Sequence, residues 1–406
     1  MKLMHARLLL ALAPMALFAQ TRTVTDAEVM RVHRAALLID THNDLPYWTV
    51  QGHDIASPAG SKDAAPHTTL AGLKQGGVGA VFLSAWVAKD FVEGNRSADR
   101  ALQLIDSVRH DIVEKYPSDF QFATSVKDIE DARRGGKIGI LIGIEGGHAI
   151  EDSLRLLRDY YDLGVRYMTL THTNTNSWAD SSGDISDAKI KHHNGLTNLG
   201  KQVVLEMNRL GMMVDISHVS DKTFADALAV SKAPIIASHS DCRALANAPR
   251  NMTDDMIVAL AKKGGVVQIN FNCGFLSQRF REESSATQPL VMQRLQQAIA
   301  AKPIGELESD ILEGQIRAKA GVKPATLADV VAHIDHVRKI AGIDAIGIGT
   351  DFNGVSCTPE GLEDVSKFPN LTRALLEKGY TEQDIRKIYG GNLLRVFRAV
   401  EVAAGK

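Results

Sequence analysis

Seven side chains able to bind a metal ion or move a proton follow short apolar runs of this chain. The first run, residues 35–40, leads into Asp40-Thr41-His42-Asn43-Asp44. In an extended strand, residues two apart point to the same face, so His42 and Asp44 would stand together at a strand's C-terminal end. An imidazole beside a carboxylate suits a hard or borderline divalent cation. Later runs lead into Glu145, His172, His218, His239 and Asp351. One histidine at a strand end is more often a packing residue than a ligand. Six of eight runs ending in His, Asp or Glu is a different matter, because buried charges need partners or metals.

His42, Asp44, Glu145, His218 and His239 supply five ligands. A catalytic zinc usually takes three protein ligands and keeps one position open. Five ligands with one carboxylate shared make two three-ligand sites, and Glu145, central in chain order, is the natural bridge. Histidines mixed with carboxylates, without thiolates, favour zinc, with manganese, cobalt and iron as alternatives. Other histidines read differently. His333 and His336 fall in a helical pattern as surface or packing residues, and His192 and His193 fall in a polar loop. His148 follows a Gly pair that suggests a backbone reason for its surroundings.

The elements that must gather these residues are legible as alternation. The eight runs are residues 35–40, 79–84, 138–144, 165–171, 212–216, 234–238, 266–271 and 345–349. Near-continuous apolar stretches of this length are typical of parallel strands buried on both faces. Between them, residues 100–116, 151–163, 198–210, 221–231, 254–263 and 326–340 carry helical spacing, often followed by Gly. Thr25 with Glu28 reads as a reciprocal cap on a first helix. Strand–helix alternation repeated eight times predicts an α/β fold, a TIM-type (β/α)8 barrel whose strand ends converge on one cavity. The rival open doubly wound sheet usually carries a Gly-rich first turn, and here that turn is Thr-His-Asn-Asp. Residues 45–75 and 276–325 are longer than ordinary connections and are expected to shape the substrate cavity.

With 406 residues, 45% hydrophobic and 23% charged, the chain has ordinary globular composition. A formal net charge of −2 gives no basic surface for nucleic acid or anionic lipid. Lys2 and Arg7 precede an apolar stretch, residues 8–18, too short to span a bilayer comfortably, and Ala19 suits a cleavage site. The expectation is a signal peptide over residues 1–19, a single catalytic barrel over 20–406 without a stable membrane anchor, and an exported, periplasmic or secreted protein. One disulfide is compatible with export. Even so, the odd number and wide spacing of Cys242, Cys273 and Cys357 favour three buried thiols.

The chain resembles the membrane (renal) dipeptidase family of zinc peptidases, including its bacterial members. The resemblance is carried by Ile39-Asp40-Thr41-His42-Asn43-Asp44-Leu45-Pro46, Gly143-Ile144-Glu145-Gly146, Leu170-Thr171-His172, Trp178-Ala179-Asp180, Gly195-Leu196-Thr197, Asp215-Ile216-Ser217-His218-Val219-Ser220, Ala237-Ser238-His239-Ser240, Arg250-Asn251 and Gly349-Thr350-Asp351-Phe352-Asn353-Gly354, in the family's order. It implies two zinc ions per chain, one on His42, Asp44 and Glu145 and the other on Glu145, His218 and His239. It implies that His172 meets the substrate carbonyl and its oxyanion, that Arg250 takes the dipeptide's C-terminal carboxylate, and that Asp351 handles the proton of the attacking water. The implied reaction is hydrolysis of dipeptides by a metal-bridging hydroxide, with tolerance of a D-residue at the C-terminal position. The implied partners are a dipeptide substrate and, as the family's common assembly, a second copy of the chain. Phe275 stands where the family often has Tyr, which leaves Arg250 more of the carboxylate binding. The alternatives are another barrel amidohydrolase acting on a cyclic amide or lactone, and an exported binding protein that kept the barrel without catalysis. The first usually opens with His-x-His, which is absent here. The second need not hold two ions.

Overall fold

The computed structural model describes residues 22–63 and 65–406. The predicted leader, residues 1–19, lies outside them. Nine strands form one parallel sheet: β1 Leu38–Asn43, β2 Val78–Trp86, β3 Phe120–Phe122, β4 Ile138–Glu145, β5 Val165–Thr169, β6 Met213–Asp215, β7 Ile236–Ala237, β8 Val266–Ile269 and β9 Ile346–Ile348. Eight follow one another around the barrel in the order β1-β2-β4-β5-β6-β7-β8-β9, and β3 pairs with β4 off this path. The seam between β9 and β1 is drawn together past the strand ends. There Asp351 N donates to His42 O at 3.0 Å and Asp44 N donates to Phe352 O at 2.9 Å. This is the α/β, TIM-type barrel the alternation predicts, with the eight runs as its eight barrel strands.

The differences are local. Strand β1 begins later than the first run, because Ala35 closes the helix Asp26–Ala35. Thr25 caps that helix as predicted, its hydroxyl accepting from Glu28 N at 3.2 Å. The reciprocal bond is missing, because the Glu28 carboxylate pairs with Arg22. Strand β3, Phe-Gln-Phe, is too short to show as an apolar run. Most of the long connection 276–325 is helical, over residues 278–301 and 306–319. Helices Gln278–Ala301 and Glu306–Lys319 form a hairpin with a small core of Val291, Leu295 and Ile316.

Two clusters hold the barrel. Leu38, Val81, Ile140, Met168, Val214 and Val267 join the larger cluster, together with residues from the surrounding helices. Ile39, Phe82, Leu141, Tyr167, Met213, Ile236 and Val266 pack with Leu393, Val396, Phe397 and Val400 of the helix Asn392–Ala403. That helix sits at the N-terminal ends of β8 and β9. Arg395 donates to the carbonyls of Gly264 and Asp344, and Asn392 donates to those of Ile343 and Ile346. The opposite end of the barrel is left to the loops and their chemistry.

A disulfide joins Cys273 to Cys357, which corrects the expectation of three thiols. It links the loop after β8 to the loop after β9. Cys242 is free and buried, as expected. No helix among the described residues is long and apolar enough to cross a membrane.

Candidate metal centre

At the C-terminal mouth, Glu145 ends β4 and stands between two groups of residues. Its Oε2 lies 3.2 Å from His42 Nε2. Its Oε1 lies 2.9 Å from His218 Nε2 and 3.2 Å from His239 Nε2. His42 Nε2 is also 3.5 Å from Asp44 Oδ2. Thus His42, Asp44 and Glu145 form one compact donor set, and Glu145, His218 and His239 form another. A third set, His42, His239 and Asp351, overlaps both.

The pairing of His42 with Asp44 does not come from strand pleating. β1 ends at Asn43, and Asp44 turns with φ −91° and ψ 26° to begin the short helix Leu45–Thr49. A register irregularity between Asp40 and Asn43 contributes to the turn. Small residues make the room. A Cβ on Gly354 would meet Asp44 Oδ2 at 2.2 Å and Asp351 Oδ1 at 2.9 Å. His218 and Asp351 hold φ of 67° and 64°, values that cost a non-glycine residue energy and tend to collect at functional sites.

The donor set fits a pair of divalent cations. His42 Nε2 and Asp44 Oδ1 are buried with no hydrogen-bond partner among the described residues. Burying such atoms unpaired would cost on the order of 1–3 kcal/mol each, which a cation would offset. Burial lowers the pKa of His218 and His239 well below the ordinary histidine value, keeping the neutral form that binds metal. Two ring orientations are fixed from behind. Tyr167 Oη is 2.8 Å from His42 Nδ1, and Ser238 Oγ is 2.7 Å from His239 Nδ1. Ser238 in turn donates to Asp215 Oδ2 at 2.6 Å. Partners of this kind orient metal-binding imidazoles. Tyr167 lies within a strand rather than at its end, where a tyrosine reads as core. Its one sequence signal is Gly143 on the adjacent strand, where a Cβ would lie 2.0 Å from the Tyr167 ring.

His172 faces the same cleft. Trp86 Nε1 donates to its Nδ1 at 3.2 Å, which leaves Nε2 to carry the ring proton. Asp351 is 4.0 Å from His42 Nε2 through Oδ1 and accepts from Asn270 Nδ2 at 2.9 Å through Oδ2. Burial raises its pKa to about 6. Arg250 stands one layer back. It donates to Ser240 Oγ and to His239 O, both at 2.7 Å, and its guanidinium lies 5.5 Å from the Phe275 ring centre. Phe275 itself lines the cleft, and Asn251 Nδ2 holds the Phe275 carbonyl at 2.8 Å. The cleft has a volume of about 140 Å³, and Asp44, Glu145, His172, His218, Asp351 and Trp86 are among its walls.

Four other histidines bond within the fold. His333 is buried, with Nδ1 accepting from Cys242 N and Nε2 bonding Leu276 O, and His336 pairs with Asp254. His148 bonds the Val87 carbonyl, and His193 bonds that of Asn176.

Comparison with known proteins agrees with this geometry. The sequence profile described as membrane dipeptidase, peptidase family M19, matches residues 26–406. An uncharacterized dipeptidase of Schizosaccharomyces pombe is 36% identical over 383 residues, covering 91% of this chain and 82% of the relative. The dipeptidase verJ of Clonostachys rogersoniana is 37% identical over 382 residues, covering 91% of this chain and 85% of the relative. The crystal structure of the probable dipeptidase PvdM from Pseudomonas aeruginosa superposes with a TM-score of 0.78 at 26% identity, over 93% of this chain and 99% of the other. The chain belongs to the membrane dipeptidase family, peptidase family M19, and is a metallo-dipeptidase of that family.

Proposed function

We propose that this protein hydrolyses dipeptides with two zinc ions, one held by His42, Asp44 and Glu145 and the other by Glu145, His218 and His239. The observation that carries the reading is Glu145, whose two oxygens lie within 3.2 Å of imidazole nitrogens from both groups. Bound there, the ions would polarise the scissile carbonyl and acidify a water molecule near neutral pH. His172, with its proton fixed on Nε2, donates to the carbonyl oxygen as it gains charge. Losing such a donor typically costs roughly 3 kcal/mol of barrier lowering. Asp351 accepts the proton of the attacking water and passes it to the leaving nitrogen. Arg250, beside Phe275, would anchor the C-terminal carboxylate by turning guanidinium nitrogens away from Ser240 Oγ and the His239 carbonyl. The small volume of the cleft supports a two-residue substrate.

The reading extends to a D-residue at the C-terminal position. It also extends to an exported location, which the Cys273–Cys357 disulfide supports, because such bonds persist in oxidising compartments. The test is the purified protein loaded with zinc, assayed on matched L-L and L-D dipeptides alongside metal analysis. Cleavage of both series with two ions per chain is expected. If zinc-loaded protein leaves the whole panel intact, the proposal fails; cleavage of the L-L series alone removes only the D-residue clause.

A further inference from the structure

The metal cleft is not closed on all sides. Asn272, Asp310 and Gly354 line it and also line a second cavity of about 510 Å³ beneath the helical hairpin. The hairpin is seated closely at that point. A Cβ on Gly314 would meet the Ser356 carbonyl oxygen at 2.6 Å. Ser284, Ser285 and Gln288 lie in the wall of the second cavity beside Phe280 and Val355. Two cations, Arg281 and Arg317, and two carboxylates, Asp310 and Glu313, line it. Arg317 and Glu313 pair at 2.8 Å. Asp310 borders both spaces, whereas Arg281 borders only the side cavity. Arg281 is half-buried, and its one side-chain bond among the described residues goes to the Gly274 carbonyl at 3.1 Å. No ion pair to it occurs among the described residues, and burial lowers its pKa without an opposing charge. A guanidinium held this way has unused donors in a fork that matches a carboxylate.

We propose that the cavity beneath the hairpin is a side-chain subsite in which Arg281 binds a carboxylate, so that the favoured substrates are dipeptides containing an acidic residue. The inference rests on the dipeptidase reading and adds the substrate class. The backbone and α-groups of the substrate occupy the small metal cleft, and one side chain passes the junction at Asn272 and Gly354 to reach Arg281.

The experiment compares kcat/KM for two near-isosteric pairs, Ala-Glu with Ala-Gln and Glu-Ala with Gln-Ala, using the zinc-loaded protein and its Arg281→Met and Arg281→Lys variants. The Glu/Gln ratio is taken within each protein, which cancels any general loss from the substitution. At least a tenfold preference for Glu is expected in one of the two orders, falling to near unity in Arg281→Met and partly kept in Arg281→Lys. Cleavage of the Gln peptides without preference for Glu in either order overturns the subsite alone. A preference that survives Arg281→Met also overturns it. Failure to cleave any of the four peptides by protein that cleaves other dipeptides overturns the subsite alone, and failure on every dipeptide overturns the dipeptidase reading and the subsite with it.

Discussion

The chemistry of the centre depends on residues that do not touch a substrate. Tyr167 Oη holds His42 Nδ1, and this bond aims Nε2 at Asp44 and Glu145. Tyr167→Phe keeps the ring that fills the space above Gly143 and removes only the hydroxyl. Metal affinity should fall by about 10–100-fold, read by competition against a chelator, because an orienting partner is lost while all ligands remain. Unchanged affinity would show that packing alone orients His42. Asp351 poses a sharper question, since its carboxylate falls in a compact set with His42 and His239. If it moves protons, Asp351→Asn keeps both ions and loses nearly all turnover; if it is a ligand, metal content drops with activity. Metal analysis and kcat on one sample separate the two.

The elements show why some of this was legible from sequence and some was not. Barrel strands are buried on both faces, so even the two residues of β7 sit inside a visible apolar run. Strand ends then expose the ligand set, because a charged group after an apolar run needs a reason. Tyr167 escaped because a mid-strand tyrosine looks like core. The hairpin escaped because helix Gln278–Ala301 buries only Val291 and Leu295 and carries Pro289, leaving little apolar periodicity. The disulfide escaped because three cysteines do not reveal which two meet. Asp180 in the Trp178-Ala179-Asp180 stretch proves to shape a loop, accepting from His193 N and Gly195 N at 2.8 Å. The Cys273–Cys357 link spans 84 residues and ties the loop bearing Asn272 to the loop bearing Gly354. Replacing both cysteines by serine should destabilise the protein by about 4.6 kcal/mol on the chain-entropy account. The check is denaturant unfolding of the oxidised protein against the double variant. Equal midpoints would mean that the barrel already fixes both loops.

At the scale of the whole molecule, the N-terminal segment and the last helices are locked together behind the barrel, and a histidine makes the lock. His33, on the first helix, places Nδ1 2.7 Å from Thr372 Oγ1 and Nε2 2.8 Å from the Gly76 carbonyl. Thr372 in turn lies 2.6 Å from Tyr389 Oη. Burial lowers the pKa of His33 below its ordinary value of 6.5. The folded protein therefore takes up its proton at lower pH than the unfolded chain does. The neutral ring's contribution is fully present above about pH 6.5 and is lost as pH falls toward the folded pKa, at up to about 1.4 kcal/mol per pH unit. Other buried groups titrate over the same range, with carboxylates such as Asp351 acting in the opposite direction. The total stability is thus a poor probe, and the difference between wild type and His33→Gln is the sensitive one. At pH 8 the variant should unfold at a lower temperature, by an amount reflecting about 1–2 kcal/mol for the disturbed hydrogen bonds. Between pH 6.5 and 5 the gap should narrow, because glutamine has no proton to gain on unfolding. Thermal unfolding of both proteins across that range measures it. A gap that stays constant or widens as the solution is acidified would mean that His33 is protonated in the fold, with Thr372 and the Gly76 carbonyl both serving as acceptors.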